Sequence, residues 1–104
     1  MARQYHKLVR DEIPRIIREG GSTCRYRILD REDYRQLLDE KLDEELLEYR
    51  QSKDPEELAD MLEVIAALAE EGGCSWEQLL AIREEKKKKR GGFTQRILLE
   101  EVID

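Results

Sequence analysis

Apolar residues recur along this chain at helical spacing, in blocks bounded by residues that start or stop helices. The segment LVRDEIPRIIREGG opens on Asp11 as a candidate N-cap, carries Pro14 in its first turn and stops at Gly20 and Gly21, which predicts a short helix. The stretch CRYRIL that follows alternates loosely, as a short strand or an extended arm would. Asp30 then caps DREDYRQLLDEKLDEELLEYRQSK, predicted as a long helix ending near Lys53. Asp54-Pro55-Glu56-Glu57 is a helix start, with a capping residue, Pro at the first helical position and an acid at the third. The helix it opens runs to Gly72 and Gly73. Ser75-Trp76-Glu77-Gln78 has the capping-box pattern and begins a last helix, WEQLLAIREEKKKKR, which Gly91 and Gly92 terminate. The tail FTQRILLEEVID, rich in branched apolar residues, reads as a strand or as an arm packed on a neighbour.

The expected fold class is therefore all-α. An antiparallel helical hairpin would form a four-helix-bundle core on oligomerisation, with short extended terminal segments. The stretch ELADMLEVIAALA is the main reason to expect assembly. After its first residue ten of twelve positions are apolar, and one chain has too few helices to cover such a face. With 104 residues the chain is one domain, 1–104, small enough for self-association to add useful burial. Charged residues make up 42% of it, as amphipathic helices require. A net charge of -6 argues against nucleic-acid binding by the whole surface, which needs a basic footprint. No run is long and apolar enough for a membrane span. The charged start MARQYHKLVRDE has no hydrophobic signal segment, so the chain reads as cytoplasmic. Cys24 and Cys74 have no short metal spacing, and His6 is the single histidine, so zinc sites and His-dependent nucleophilic catalysis have little to work with.

The informative residues are acids on apolar faces. At about 100° per residue, with Leu38 at zero, Leu42 falls near +40°, Tyr49 near +20° and Glu45 near -20°, so Glu45 sits inside the apolar stripe. Glu48 is at i+3 from Glu45, a spacing that lets two carboxylates converge, while Glu44 lies on the flank. Glu57 and Asp60 have the same relation on the next helix. The short connection between the helices makes them antiparallel neighbours, which brings the two acidic pairs within reach of each other. Ionised carboxylates crowded in a partly dry site repel strongly, and a hard divalent cation relieves that. Other readings of the same residues stand beside this one. Glu57 occupies the position of a capping-box acid, Glu48 has Lys41 and Arg50 within pairing reach, and a buried ion pair or polar interface would also place acids on an apolar face.

Glu45-Leu46-Leu47-Glu48 and Glu57-Leu58-Ala59-Asp60 resemble the Glu-x-x-Glu and Glu-x-x-Asp motifs that the MazG-like, all-α nucleotide pyrophosphohydrolase superfamily carries on consecutive helices. Glu44 reproduces the doubled acid often found at the first motif. YHKLVRDEIPRII and KKKRGGFTQR look like the ends of its phosphoribosyl-ATP pyrophosphohydrolase-like subgroup, so the resemblance spans most of the chain. Eight residues separate Glu48 from Glu57, a shorter spacer than the superfamily usually shows, which tightens the hairpin. The resemblance implies Mg²⁺-dependent cleavage of nucleoside triphosphates between the α- and β-phosphates, in a house-cleaning role. Glu45, Glu48, Glu57 and Asp60 would hold Mg²⁺, or Mn²⁺, and Glu44 would orient the attacking water. Lys7, Arg10, Lys89, Arg90 and Arg96 are the cations best placed for the phosphates.

For Lys86, Lys87 and Lys88 the plainer reading is a solvated helix end that complements the dipole. Lys7 and Arg10 could equally pair with Asp11 or Glu12, and Tyr5 and Tyr49 could stack on a base or pack at an interface. Two alternatives in function stand open: phosphoribosyl-ATP pyrophosphohydrolase activity, although the LVRDEIP block is foreign to those enzymes and their characteristic tail is missing, and a catalytically silent helical module that dimerises and binds without turnover. The expected partners are a nucleotide substrate and further copies of the chain, as a homodimer or higher homo-oligomer, with neither membrane nor nucleic acid.

Overall fold

The computed structural model of the chain describes residues 6–104, and these form four helices and no strand. α1 spans Ile13–Glu19, α2 Arg31–Ser52, α3 Pro55–Glu71 and α4 Trp76–Arg90. The three longer helices start where local chemistry places them. Asp30 accepts a hydrogen bond from the Asp33 amide, Asp54 from the Glu56 amide, and Ser75 closes a full capping box with Gln78. α1 differs from its predicted start. Its N-cap is Glu12, already in helical conformation and making no side-chain cap, so Asp11 does not serve as the cap. Gly20 ends α1 as expected.

α2 and α3 form the antiparallel hairpin. Lys53 and Asp54 connect them, with Lys53 in the left-handed conformation (φ 58°) and its amide bonded to the Tyr49 carbonyl. The Lys53 ammonium lies over the Tyr49 ring, 5.1 Å from its centre, so part of that ring's face is taken by a neighbour. At the other end Arg35 Nε donates to Glu71 Oε1 at 3.0 Å, which ties the start of α2 to the end of α3. α4 packs on α3 alone among the helices, and α1 packs on none. No described helix is long and apolar enough to cross a membrane.

One pair of alternatives narrows. CRYRIL and the tail 93–104 are not strands. Neither finds a partner strand, and without ladder hydrogen bonds an alternating pattern has nothing to stabilise it. Ile28, Phe93, Ile97 and Leu98 are all at least 80% exposed. The apolar face of α3 is not enclosed by the single chain, as its apolar composition leads one to expect. Val64 is its one buried residue, whereas Leu58 and Leu62 are 44% and 52% exposed. Leu38, Val64 and Glu45 are the buried residues among those described. The accessible surface, 9864 Å², compares with about 6,100 Å² for a compact chain of this mass. The radius of gyration, 18.3 Å, compares with about 13 Å.

Candidate metal centre

Glu45 is the centre of the hairpin's acidic site. Its place in the apolar stripe of α2 buries it to 5% exposure, alongside Leu38. One carboxylate oxygen each from Glu45, Glu57 and Asp60 lie within 4.8 Å of one another, and the same holds for Glu44, Glu45 and Glu48. Glu45 thus belongs to both groups and bridges the two helices. The i, i+3 spacing on each helix provides the convergence, and the two-residue connection sets the helices side by side. All five acids singled out in the sequence are brought together.

Two oxygens distinguish this cluster from an ordinary acidic surface. Glu45 Oε2 and Glu57 Oε2 are buried and have no hydrogen-bond partner. A buried, unpartnered carboxylate oxygen is costly, so its persistence needs a compensating charge or a proton. For Glu57 this also disposes of the capping alternative. Asp54 caps through the Glu56 amide, and Glu57 turns towards the hairpin partner instead. Burial pushes the Glu45 carboxyl above the usual carboxylate range, the nearby Glu48 adds to the shift, and Lys41 opposes it. Glu44, one residue away, is held below that range, first by its hydrogen bond from Lys7 and further by Lys41. Two adjacent glutamates are therefore driven in opposite directions by their surroundings.

Cations approach from three sides. Lys41 Nζ lies 3.2 Å from Glu44 Oε2 and 3.3 Å from Glu45 Oε1. Lys7 Nζ donates to Glu44 Oε1 at 2.9 Å, and Arg10 Nη2 donates to Asp60 Oδ1 at 2.7 Å. Lys7 and Arg10 thus stand at the acids across more than thirty residues of sequence rather than pairing locally with Asp11 or Glu12. Glu12 pairs with Arg15 instead. Lys41 was not among the candidate residues, although its i, i+3 and i, i+4 relation to Glu44 and Glu45 carries that signal. Lys89 pairs with Glu85 at 3.6 Å on the exposed face of α4. Arg90 ends α4 and Arg96 stands in the tail with φ 57°, and none of these three cations is joined to the acids by a described hydrogen bond or ion pair. His6 is exposed beside Lys7, Cys24 and Cys74 are free thiols, and Tyr5 lies outside the described residues.

No family model matches the chain, and no solved structure does. A protein of Mycolicibacterium smegmatis (strain ATCC 700084 / mc(2)155), described as an uncharacterized protein, is 50% identical over 44 residues. The match covers 42% of this chain and 45% of that protein, so the chain spans less than half the length of the relative it matches.

Proposed function

We propose that the α2–α3 acids bind a divalent cation, Mg²⁺ or alternatively Mn²⁺, and that the protein is a nucleotide pyrophosphohydrolase. The observation that carries this reading is Glu45: a buried carboxylate with one unpartnered oxygen, shared by two groups of converging acids. The donor set fits a hard cation, because it is all carboxylate oxygen, and the orphaned oxygens of Glu45 and Glu57 are those a cation would satisfy. Glu45, Glu57 and Asp60 would hold it, with Glu48 beside them. Bound there, such an ion neutralises charge on phosphate oxygens and lowers the pKa of water. The reaction adds one water across the bond between the α- and β-phosphates, giving a nucleoside monophosphate, pyrophosphate and a proton. Glu44, kept ionised by its lysines, would orient that water. Lys7 and Arg10 would take up phosphate charge. Lys89, Arg90 and Arg96 stay linked to phosphate binding by the resemblance alone, since α4 packs only on α3.

The same proposal includes a homodimer or higher homo-oligomer in which two hairpins complete a four-helix bundle. The excess of about 3,700 Å² of surface over a compact chain supports it, because a standard stable interface covers about 800 Å² per partner. The deciding experiment is pyrophosphate release from a panel of standard and damaged nucleoside triphosphates, with and without Mg²⁺. Metal-dependent release from at least one nucleotide is expected. Metal binding with no turnover on any nucleotide would instead mark a silent binding module.

A further inference from the structure

Among the described residues before α1, two ion pairs reach the hairpin. α1 packs on no other helix. The described long-range hydrogen bonds from the N-terminal segment are Lys7 to Glu44 and Arg10 to Asp60. Leu8 adds an apolar contribution beside Leu37, at a small cavity that Lys7, Lys41 and Glu44 also line. The course of the arm follows from its neighbours. Lys7 meets Glu44 on α2, whereas Arg10 meets Asp60 on α3. The arm therefore crosses from α2 to α3.

Both anchors of this arm belong to the acidic cluster, Asp60 as a proposed ligand of the ion and Glu44 as the acid proposed to orient the water. Asp60 Oδ1 is occupied by a guanidinium, and both oxygens of Glu44 are occupied by lysines. A carboxylate oxygen that turns to a divalent ion loses the charge it offered to a cationic side chain. The two pairs are also partly solvated, with Arg10 56% and Lys7 54% exposed, so they are of the kind that is cheap to break. We infer that the N-terminal arm is an exchangeable strap. Without a divalent ion Lys7 and Arg10 neutralise Glu44 and Asp60. When the cluster is loaded Arg10 leaves Asp60, the arm loosens, and the guanidinium becomes available to an anionic phosphate chain. This rests on the metal reading above and adds a coupling to it: metal binding prepares a phosphate-binding guanidinium.

The test combines hydrogen exchange of residues 6–19 with calorimetric Mg²⁺ titration, using the full chain without nucleotide. Ionic strength is kept constant with KCl, because salt alone weakens exposed ion pairs. In the wild type, saturating Mg²⁺ should speed exchange in α1 roughly severalfold, as expected when the ties of a low-stability segment are removed. Arg10→Gln should show fast α1 exchange without metal and bind Mg²⁺ roughly two- to fivefold tighter, the scale of one exposed ion pair. Arg10→Lys, which keeps the charge, should restore most of both properties and shows whether loss of charge rather than misfolding is responsible. Wild-type binding of Mg²⁺ with unchanged exchange in α1, together with equal affinity in Arg10→Gln, would overturn the strap and leave the metal centre standing. Absence of Mg²⁺ binding in every variant would overturn the metal centre and the strap with it.

Discussion

Replacing Glu45 with Gln separates a metal ligand from a structural acid, because the two roles predict opposite changes in stability. In the wild type Glu45 Oε1 lies 3.3 Å from Lys41, whereas Oε2 is buried and unpartnered. Relief of a buried unpartnered carboxylate oxygen should return about 1–3 kcal/mol, and loss of the Lys41 contact should cost about 1 kcal/mol or less. Lys41 is not stranded by the change, since Glu44 Oε2 remains 3.2 Å away. The metal-free variant should therefore be between equal in stability and about 3 kcal/mol more stable at neutral pH, at about 4–8 °C in Tm per kcal/mol for a chain of this size.

The pH dependence has a definite sign. Burial raises the folded-state pKa of Glu45 above its unfolded value, so its contribution is fully present below the unfolded pKa and is lost as pH rises through the folded pKa. Glu45→Gln should remove that decline, and its advantage over the wild type should appear only above this window. Mg²⁺ acts in the opposite direction. At a hundred times its Kd the ion should stabilise the wild type by about 2.7 kcal/mol, and a tenfold loss of affinity in the variant would remove about 1.4 kcal/mol of that. Calorimetric melts across pH, with and without Mg²⁺, measure each quantity. A Glu45→Gln protein destabilised at every pH, with its Mg²⁺-dependent shift intact, would refute the assignment.

Further outcomes follow from the neighbouring contacts. Asp60→Asn should abolish pyrophosphate release while circular dichroism shows the helical content unchanged, because the amide keeps the shape but withdraws the charge; wild-type turnover at limiting Mg²⁺ would remove Asp60 from the ligand set. Lys7→Met should destabilise the protein by about 0.2–1 kcal/mol at neutral pH, the range of an exposed ion pair. Because Lys7 holds the pKa of Glu44 below its unfolded value, that contribution is present above the unfolded pKa and is lost as pH falls through the folded one, so the variant and wild type should converge in acid. Sedimentation at tens of micromolar should find no folded monomer, about the concentration at which a stable interface is populated; a compact monomer there would exclude the four-helix bundle.

The parts of this structure that were legible in the sequence are those set by neighbours a few residues apart. Asp30, Asp54-Pro55 and Ser75 each satisfy amides within their own first turn, so three helix starts could be placed from side-chain chemistry alone. The burial of Glu45 followed from its angle in the stripe of Leu38, Leu42 and Tyr49. Pairings across large separations were not legible in the same way. Arg10 meets Asp60 fifty residues away, and local periodicity contains nothing that chooses Asp60 over the adjacent Glu12. The alternation in CRYRIL was a real pattern without a structural consequence, because a strand exists only through its partner. The exposure of Leu58 and Leu62 is the converse case, in which the pattern calls for a buried helix and a single chain has no surface to bury it against.

The most direct measurement of the central claim is a Mn²⁺ titration followed by electron paramagnetic resonance, in which the sharp signal of the free aqueous ion falls as the ion binds. It requires no substrate and no assumption about the nucleotide. The wild type should deplete free Mn²⁺, and Glu45→Gln, Glu57→Gln and Asp60→Asn should each weaken that binding by at least about tenfold, the effect of losing about 1.4 kcal/mol from a charged ligand. Equal depletion by the wild type and all three variants, or none by the wild type, would contradict a divalent cation held between α2 and α3.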